Sequence, residues 1–240
     1  FMSAVEGDAR RYRQKDGVTI EDAPGDVLHV YLGYGESTAG NYAQGNGIYV
    51  PSSRAPYVPY QALMMNNMRA PRGPTPGDTV APKDDWLPGI GFNAARATSL
   101  IPLVDGRFVN GEGPSGQSVG HAALDWADRE GLRARRQRLV RAYMTAAHGG
   151  QTLATLKKNG TPLEGVLLYN QRLFAMLNQL KALALSQLGR RLVVDALPWF
   201  VGINDGGPLS GSGMTAAIAK PIVLQLFADL LADIPAATGQ

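Results

Sequence analysis

Val27-Leu28-His29-Val30-Tyr31-Leu32-Gly33-Tyr34-Gly35-Glu36-Ser37-Thr38-Ala39-Gly40 is the stretch on which the reading of this chain turns. An apolar run rich in β-branched and aromatic residues stops at a glycine turn that presents Ser37. Such a run reads as a buried parallel strand delivering a loop to the C-terminal edge of a sheet. Open α/β sheets place their ligand sites at that edge. Two nucleotide motifs are excluded here. Gly33 to Gly40 holds no lysine, as a phosphate-binding loop requires, and Thr38 stands where a dinucleotide fingerprint needs its third glycine.

Working outward, residues 1–25 read as a polar leader, and 26–240 as one α/β domain with a long irregular insertion at about 41–110. Its first part, Asn41 to Asp85, is rich in Pro, Gly, Asn, Tyr and Met and shows little periodicity; Trp86 to Asn110 continues the irregular character, with Ser99 to Leu103 as a short apolar island. Its aromatic residues favour an ordered excursion that walls a pocket. Ser115 to Arg129 then reads as a helix, with Pro114 where a first turn accepts proline. Leu139 to Ala147 reads as a second strand, followed by the turn His148-Gly149-Gly150-Gln151-Thr152.

Leu167 to Leu188 is the clearest helix, with Leu173, Leu177, Leu180, Ala184 and Leu188 on one face and Gly189 as its stop. Leu192 to Val201 reads as a third strand ending in Gly202-Ile203-Asn204-Asp205. A last helix is expected from about Pro221 to Ile234, with Pro221 at its start. Strands alternating with helices imply a mainly parallel sheet with helices on both faces, a three-layer α/β/α sandwich. Three strands ending in glycine turns at one sheet edge should bring Ser37, the 148–150 turn and Asn204-Asp205 together.

Composition narrows the function classes. The 240 residues carry 23 basic and 20 acidic side chains, a net charge of +3, which gives no reason to expect a nucleic-acid partner. The densest basic run, Arg133 to Arg141, has no aromatic interleaving and reads as a solvated helix end. Forty-five per cent apolar residues allow a substantial core, but no run of about 18 apolar residues occurs, so no membrane span is expected. The absence of cysteine excludes disulfides and thiolate chemistry; it is common in secreted bacterial and virion proteins but assigns no compartment. No signal peptide is legible. No His and carboxylate set has metal-ligand spacing, and no cofactor is implied.

The three turns read as acyl-transfer chemistry. Ser37 supplies a hydroxyl, Gly150 an unobstructed backbone N–H, and the Asn204 amide a further donor for a developing oxyanion. Asp205 reads as a turn stabiliser. Gly35-Glu36-Ser37, Gly149-Gly150 and Gly202-Ile203-Asn204-Asp205 resemble the first three sequence blocks of the SGNH (GDSL-like) hydrolases. The runs from His148 to Leu153, Leu168-Tyr169-Asn170 and Trp199 to Gly202 are similar to the carbohydrate O-acetylesterase branch, related to sialate O-acetylesterases. Glu36 departs from that pattern, where Asp or Gln is usual.

The resemblance implies a flavodoxin-like fold, a Ser37 nucleophile, and an oxyanion hole from Ser37, Gly150 and Asn204. It also implies a C-terminal Asp-x-x-His supplying the base, and none occurs after the third block in this sequence. The expectation is a domain lacking its last strand and helix, with the Asp-His pair supplied by a further segment or a second chain. Of the histidines present, His148 is the candidate substitute base, with Gln151 beside it in the same turn; His29 reads as a packed or supporting residue and His121 as a surface one. The expected function is a serine esterase acting on an acylated carbohydrate or small ester. The alternatives are a non-catalytic carbohydrate-binding or structural module of a cell-surface or phage tail assembly, and a lipase-like esterase.

Overall fold

The computed structural model describes residues 21–22, 27–35, 62–66, 92, 94–102, 137–138, 140–146, 151–197, 199–200 and 214–239. The central strand is β2 (Val27–Gly35), after a two-residue β1 (Glu21–Asp22). Along β2, Leu28, Val30, Leu32 and Tyr34 are completely buried while Val27, His29 and Tyr31 are half-buried on the other face. Gly33 and Gly35 are buried as well, so the strand becomes covered on both faces as it nears its C-terminal end.

The remaining strands are β3 (Ala62–Met65), β4 (Leu100–Pro102), β5 (Gln137–Arg138), β6 (Arg141–Thr145), β7 (Arg191–Ala196) and β8 (Trp199–Phe200). The main sheet has the order β4-β3-β6-β2-β7, with β8 pairing on the end of β2. All pairings in it are parallel except β3 with β4. The architecture is therefore an α/β fold on a mixed, mostly parallel sheet. Short β1 and β5 pair in parallel as a separate ribbon.

Helix α1 (Leu153–Leu156) is one turn. Helix α2 (Ala175–Leu183) is extended at both ends by π-helical turns, Leu168–Phe174 and Ala184–Leu188. Gly189, at φ 65°, closes this run in the left-handed conformation, as its position in the sequence predicts. Helix α3 runs Ala216–Thr238. The three helices contact one another and lie on the face that presents Tyr34. The helix expected at Ser115 to Arg129 lies outside the described residues, as do most of the leader, apart from Glu21–Asp22, and most of the excursion.

Three elements depart from the sequence reading. Ala62–Met65 falls inside the stretch expected to be irregular, yet it is a strand. All four of its residues are buried, so the polar alternation that reveals a half-exposed strand is missing. The stretch expected as one strand from Leu192 to Val201 holds two, β7, which carries a bulge before Ala196, and β8. Helix α3 begins before Pro221, because the Thr215 hydroxyl caps it by accepting from Ile218 N–H at 3.4 Å. Pro221 and Pro235 both sit inside it. The missing N–H groups cost helix stability, and the burial of Leu226 and Leu230 against the core offsets that cost.

Side-chain amides tie the 94–102 segment to the helical run. Gln179 Nε2 donates to Ala97 O at 2.6 Å. Gln187 donates to Thr98 O and accepts from Leu100 N–H, both at 2.9 Å. A polar chain crosses the helical layer: the Tyr34 hydroxyl donates to Leu156 O at 2.5 Å, its ring meets Tyr169 edge-on, and Tyr169 donates to Asp233 at 3.0 Å. Lys158 pairs with the same carboxylate at 2.6 Å.

Two outcomes follow from this layer. Tyr34→Phe leaves the buried Leu156 carbonyl without its donor and should lower stability by about 1–3 kcal/mol in urea unfolding. The Lys158 hydrogen bond, helped by that of Tyr169 and opposed by desolvation, holds Asp233 below the ordinary carboxylate range. Its contribution is present above the unfolded-state pKa and is lost as pH falls through the lower folded value. Asp233→Asn should remove that acid-side part of the stability profile, which unfolding midpoints between pH 7 and pH 3 would show.

Candidate functional site

The sheet topology defines one edge where a site can be built. The chain leaves β2, returns on one side of it as β6, and then crosses to the other side as β7. Strand order therefore reverses at β2, and in open α/β sheets the crevice beyond the C-terminal strand ends at such a reversal is the usual ligand position. The ends lie side by side. Ala146 N–H donates to Gly33 O at 2.8 Å, which carries β6 alongside β2 to its last residues. On the other side Tyr34 pairs with Trp199 and Gly35 with Phe200.

Gly35 adopts φ 144°, a conformation that L side chains rarely take, and it immediately precedes Glu36-Ser37. Ser37, His148, Gly150, Asn204 and Asp205 themselves lie outside the described residues. Each follows one of these strand ends: Ser37 comes after Gly35, His148 and Gly150 after Ala146, and Asn204 and Asp205 after Phe200. Gln151 is described and buried, just before Thr152, the N-cap of α1. The α1 start is closed by Thr155, whose hydroxyl accepts from Thr152 N–H at 3.2 Å.

Under the edge, the Tyr34 hydroxyl is fully buried. Burial first, and then Tyr169, push its pKa far above the usual phenol range, with Arg172 acting in the opposite sense. Tyr34 is therefore a neutral donor and not a proton-transfer group. Arg172, in the π-helical turn, is itself buried, which places a guanidinium charge within the core beneath β2. Trp199 stands in edge contact with Phe227 of α3, ring centroids 5.0 Å apart, and its indole N–H is buried with no hydrogen-bond partner among the described residues.

The sequence reading missed Asp195. Its carboxylate accepts from His29 Nδ1 at 2.9 and 3.0 Å, both side chains being about one-third exposed or less. The signal that could have found it is a lone acid within the apolar run Leu192 to Trp199, beside a lone histidine in the neighbouring strand. His29 is thus a partly buried, carboxylate-bound residue on the face opposite α1–α3. From His29 to Gly35 the strand rises about 20 Å, so His29 is remote from chemistry at the C-terminal edge.

Among the described residues no group of three or more His, Asp or Glu is placed to hold a metal ion. No described helix is long and apolar enough to cross a membrane. Neither the protein-family models nor the curated proteins give a match to this chain. Among solved structures, the X-ray structure of a protein from Arabidopsis thaliana is similar at 12% identity and a TM-score of 0.48, covering 88% of this chain and 71% of that one. A similarity of this degree carries no argument about fold family or activity.

The turn geometry makes its own forecast. Gly35→Ala forces a β-carbon into φ 144° and should cost about 1–3 kcal/mol, read from the urea midpoint, while alanine at Gly33, which has no positive φ, lacks that backbone strain.

Proposed function

We propose that this chain is a serine esterase of the SGNH type, removing acyl groups, with acetyl the leading choice, from a carbohydrate or small ester. The observation that carries the reading is the adjacency of the three strand ends that lead to Ser37, Gly150 and Asn204, at the reversal of strand order. In this reading Ser37 attacks the ester carbonyl, and N–H groups of Ser37, Gly150 and Asn204 receive the oxyanion. The alcohol departs, and water then releases the acyl enzyme. The reading includes a flavodoxin-like three-layer sandwich with helices on both faces of the sheet.

The base is the demanding part. His29 is the histidine among the described residues, and it is held by Asp195 well away from the edge. The base is then His148, or an Asp-His pair brought by a further segment or a second chain. The acetyl-sugar choice rests on the resemblance of the sequence blocks alone. Neither nucleic acid nor a cofactor enters the reading.

A second reading follows from the same remoteness of His29: a non-catalytic carbohydrate-binding or structural module that keeps the fold. Hydrolysis of p-nitrophenyl acetate separates the two, together with labelling by a fluorophosphonate. The esterase reading expects Ser37→Ala to lower kcat by about 10³-fold or more and to abolish labelling at Ser37. Activity untouched by Ser37→Ala overturns Ser37 as the nucleophile, and neither hydrolysis nor labelling in the parent chain overturns the esterase reading in favour of the module.

A further inference from the structure

The pairing of β2 with β7 contains a single irregularity, and it falls on Asp195. Val27, Leu28, His29 and Val30 stand opposite Arg191, Leu192, Val193 and Val194 in unbroken register. At the next step Tyr31 stands opposite Ala196, so Asp195 is the extra residue of a β-bulge. The shifted register persists to the sheet edge, where Tyr34 meets Trp199 and Gly35 meets Phe200.

One inserted residue exchanges the two faces of everything that follows it. With the bulge, Trp199 shares the face of Tyr34, and there its ring meets Phe227 of α3. Without it, residue 198 would stand opposite Tyr34, and Trp199 would turn to the face away from α3. The chain toward Asn204 would then pass the edge one residue earlier, with residue 199 in place of Phe200 opposite Gly35. The bulge therefore decides which residue stands opposite Gly35 at the sheet edge.

The extra residue is held from β2 itself. His29 Nδ1 donates to both carboxylate oxygens of Asp195, at 2.9 and 3.0 Å, joining the last regular stretch of the ladder to the residue that breaks it. A charge-assisted contact of this kind is stronger than a neutral hydrogen bond and orients both partners. Bulges next to active sites commonly re-aim the chain in this way.

We infer that His29 and Asp195 are positioning residues: their contact clamps the one-residue bulge and thereby sets the face of Trp199 and the residue at which the chain leaves the sheet edge on its way to Asn204. The functional consequence rests on the esterase reading; the register consequence does not. The test uses the full chain with His29→Ala, Asp195→Ala and Asp195→Asn. Cross-strand nuclear Overhauser contacts between the backbones of Tyr34 and Trp199 report register, and p-nitrophenyl acetate kinetics report function.

The clamp expects both alanine variants to lose the Tyr34–Trp199 contacts and to lower kcat by about 10- to 100-fold, with KM changed less than about threefold. Asp195→Asn keeps an oxygen acceptor for Nδ1–H and should restore most of both readouts. Alanine variants that keep the parent contacts and the parent kcat overturn the inference. Where the alanine variants do not fold, Asp195→Glu decides: its longer arm should displace the bulge and shift the Trp199 signals, and unchanged signals and kcat overturn the clamp. An inactive parent chain counts against the esterase reading alone, and the register contacts then decide the clamp by themselves.

Discussion

Everything described in this molecule depends on β2 being hydrogen-bonded along both edges. A strand paired on one side can slide; a strand paired on both sides, with one face fully buried, cannot move a residue without turning Leu28, Val30, Leu32 and Tyr34 out of the core. That constraint sets the register of β6 and β7 and delivers three strand ends to one edge. The last residues of β2, Gly33 and Gly35 included, are buried on both faces.

The helical layer is attached to this strand through polar as well as apolar contacts. Met176, Leu177, Leu180, Leu226 and Leu230 supply the burial. The run Tyr34, Tyr169, Asp233, Lys158 supplies direction, linking the end of β2 to α3 through the turn that precedes α2. Buried hydroxyls with defined partners allow fewer alternative packings than leucines do, because a misplaced donor stays unsatisfied. The π-helical widening at Leu168–Phe174 is where Tyr169 and Arg172 enter the core, and widenings of this kind often accompany functional regions.

The His29–Asp195 contact joins the two themes. It lies on the face opposite the described helices, away from the sheet edge, yet it sits at the point where the β2–β7 ladder changes register. A local contact can act at a distance along a strand because strand geometry is periodic. A shift of one residue is carried to the end undiminished, whereas a side-chain displacement in a loop dies out within a few residues.

Patterns carried by neighbouring residues were legible in the sequence alone: the apolar run of β2, the helical spacing from Leu173 to Leu188, the stop at Gly189, and the strand–helix alternation that implies a parallel sheet. These are local, since periodicity and glycine conformation need no partner. Strand β3 escaped notice because a strand buried on both faces has no alternation to read, and the start of α3 escaped because the cap at Thr215 outweighed the proline signal. Of the candidate site, the sequence singled out residue types at three turns. Only the tertiary structure could bring the preceding strand ends side by side and pair His29 with Asp195, because strand order and register depend on which surfaces bury each other, and residues 166 positions apart share no local pattern.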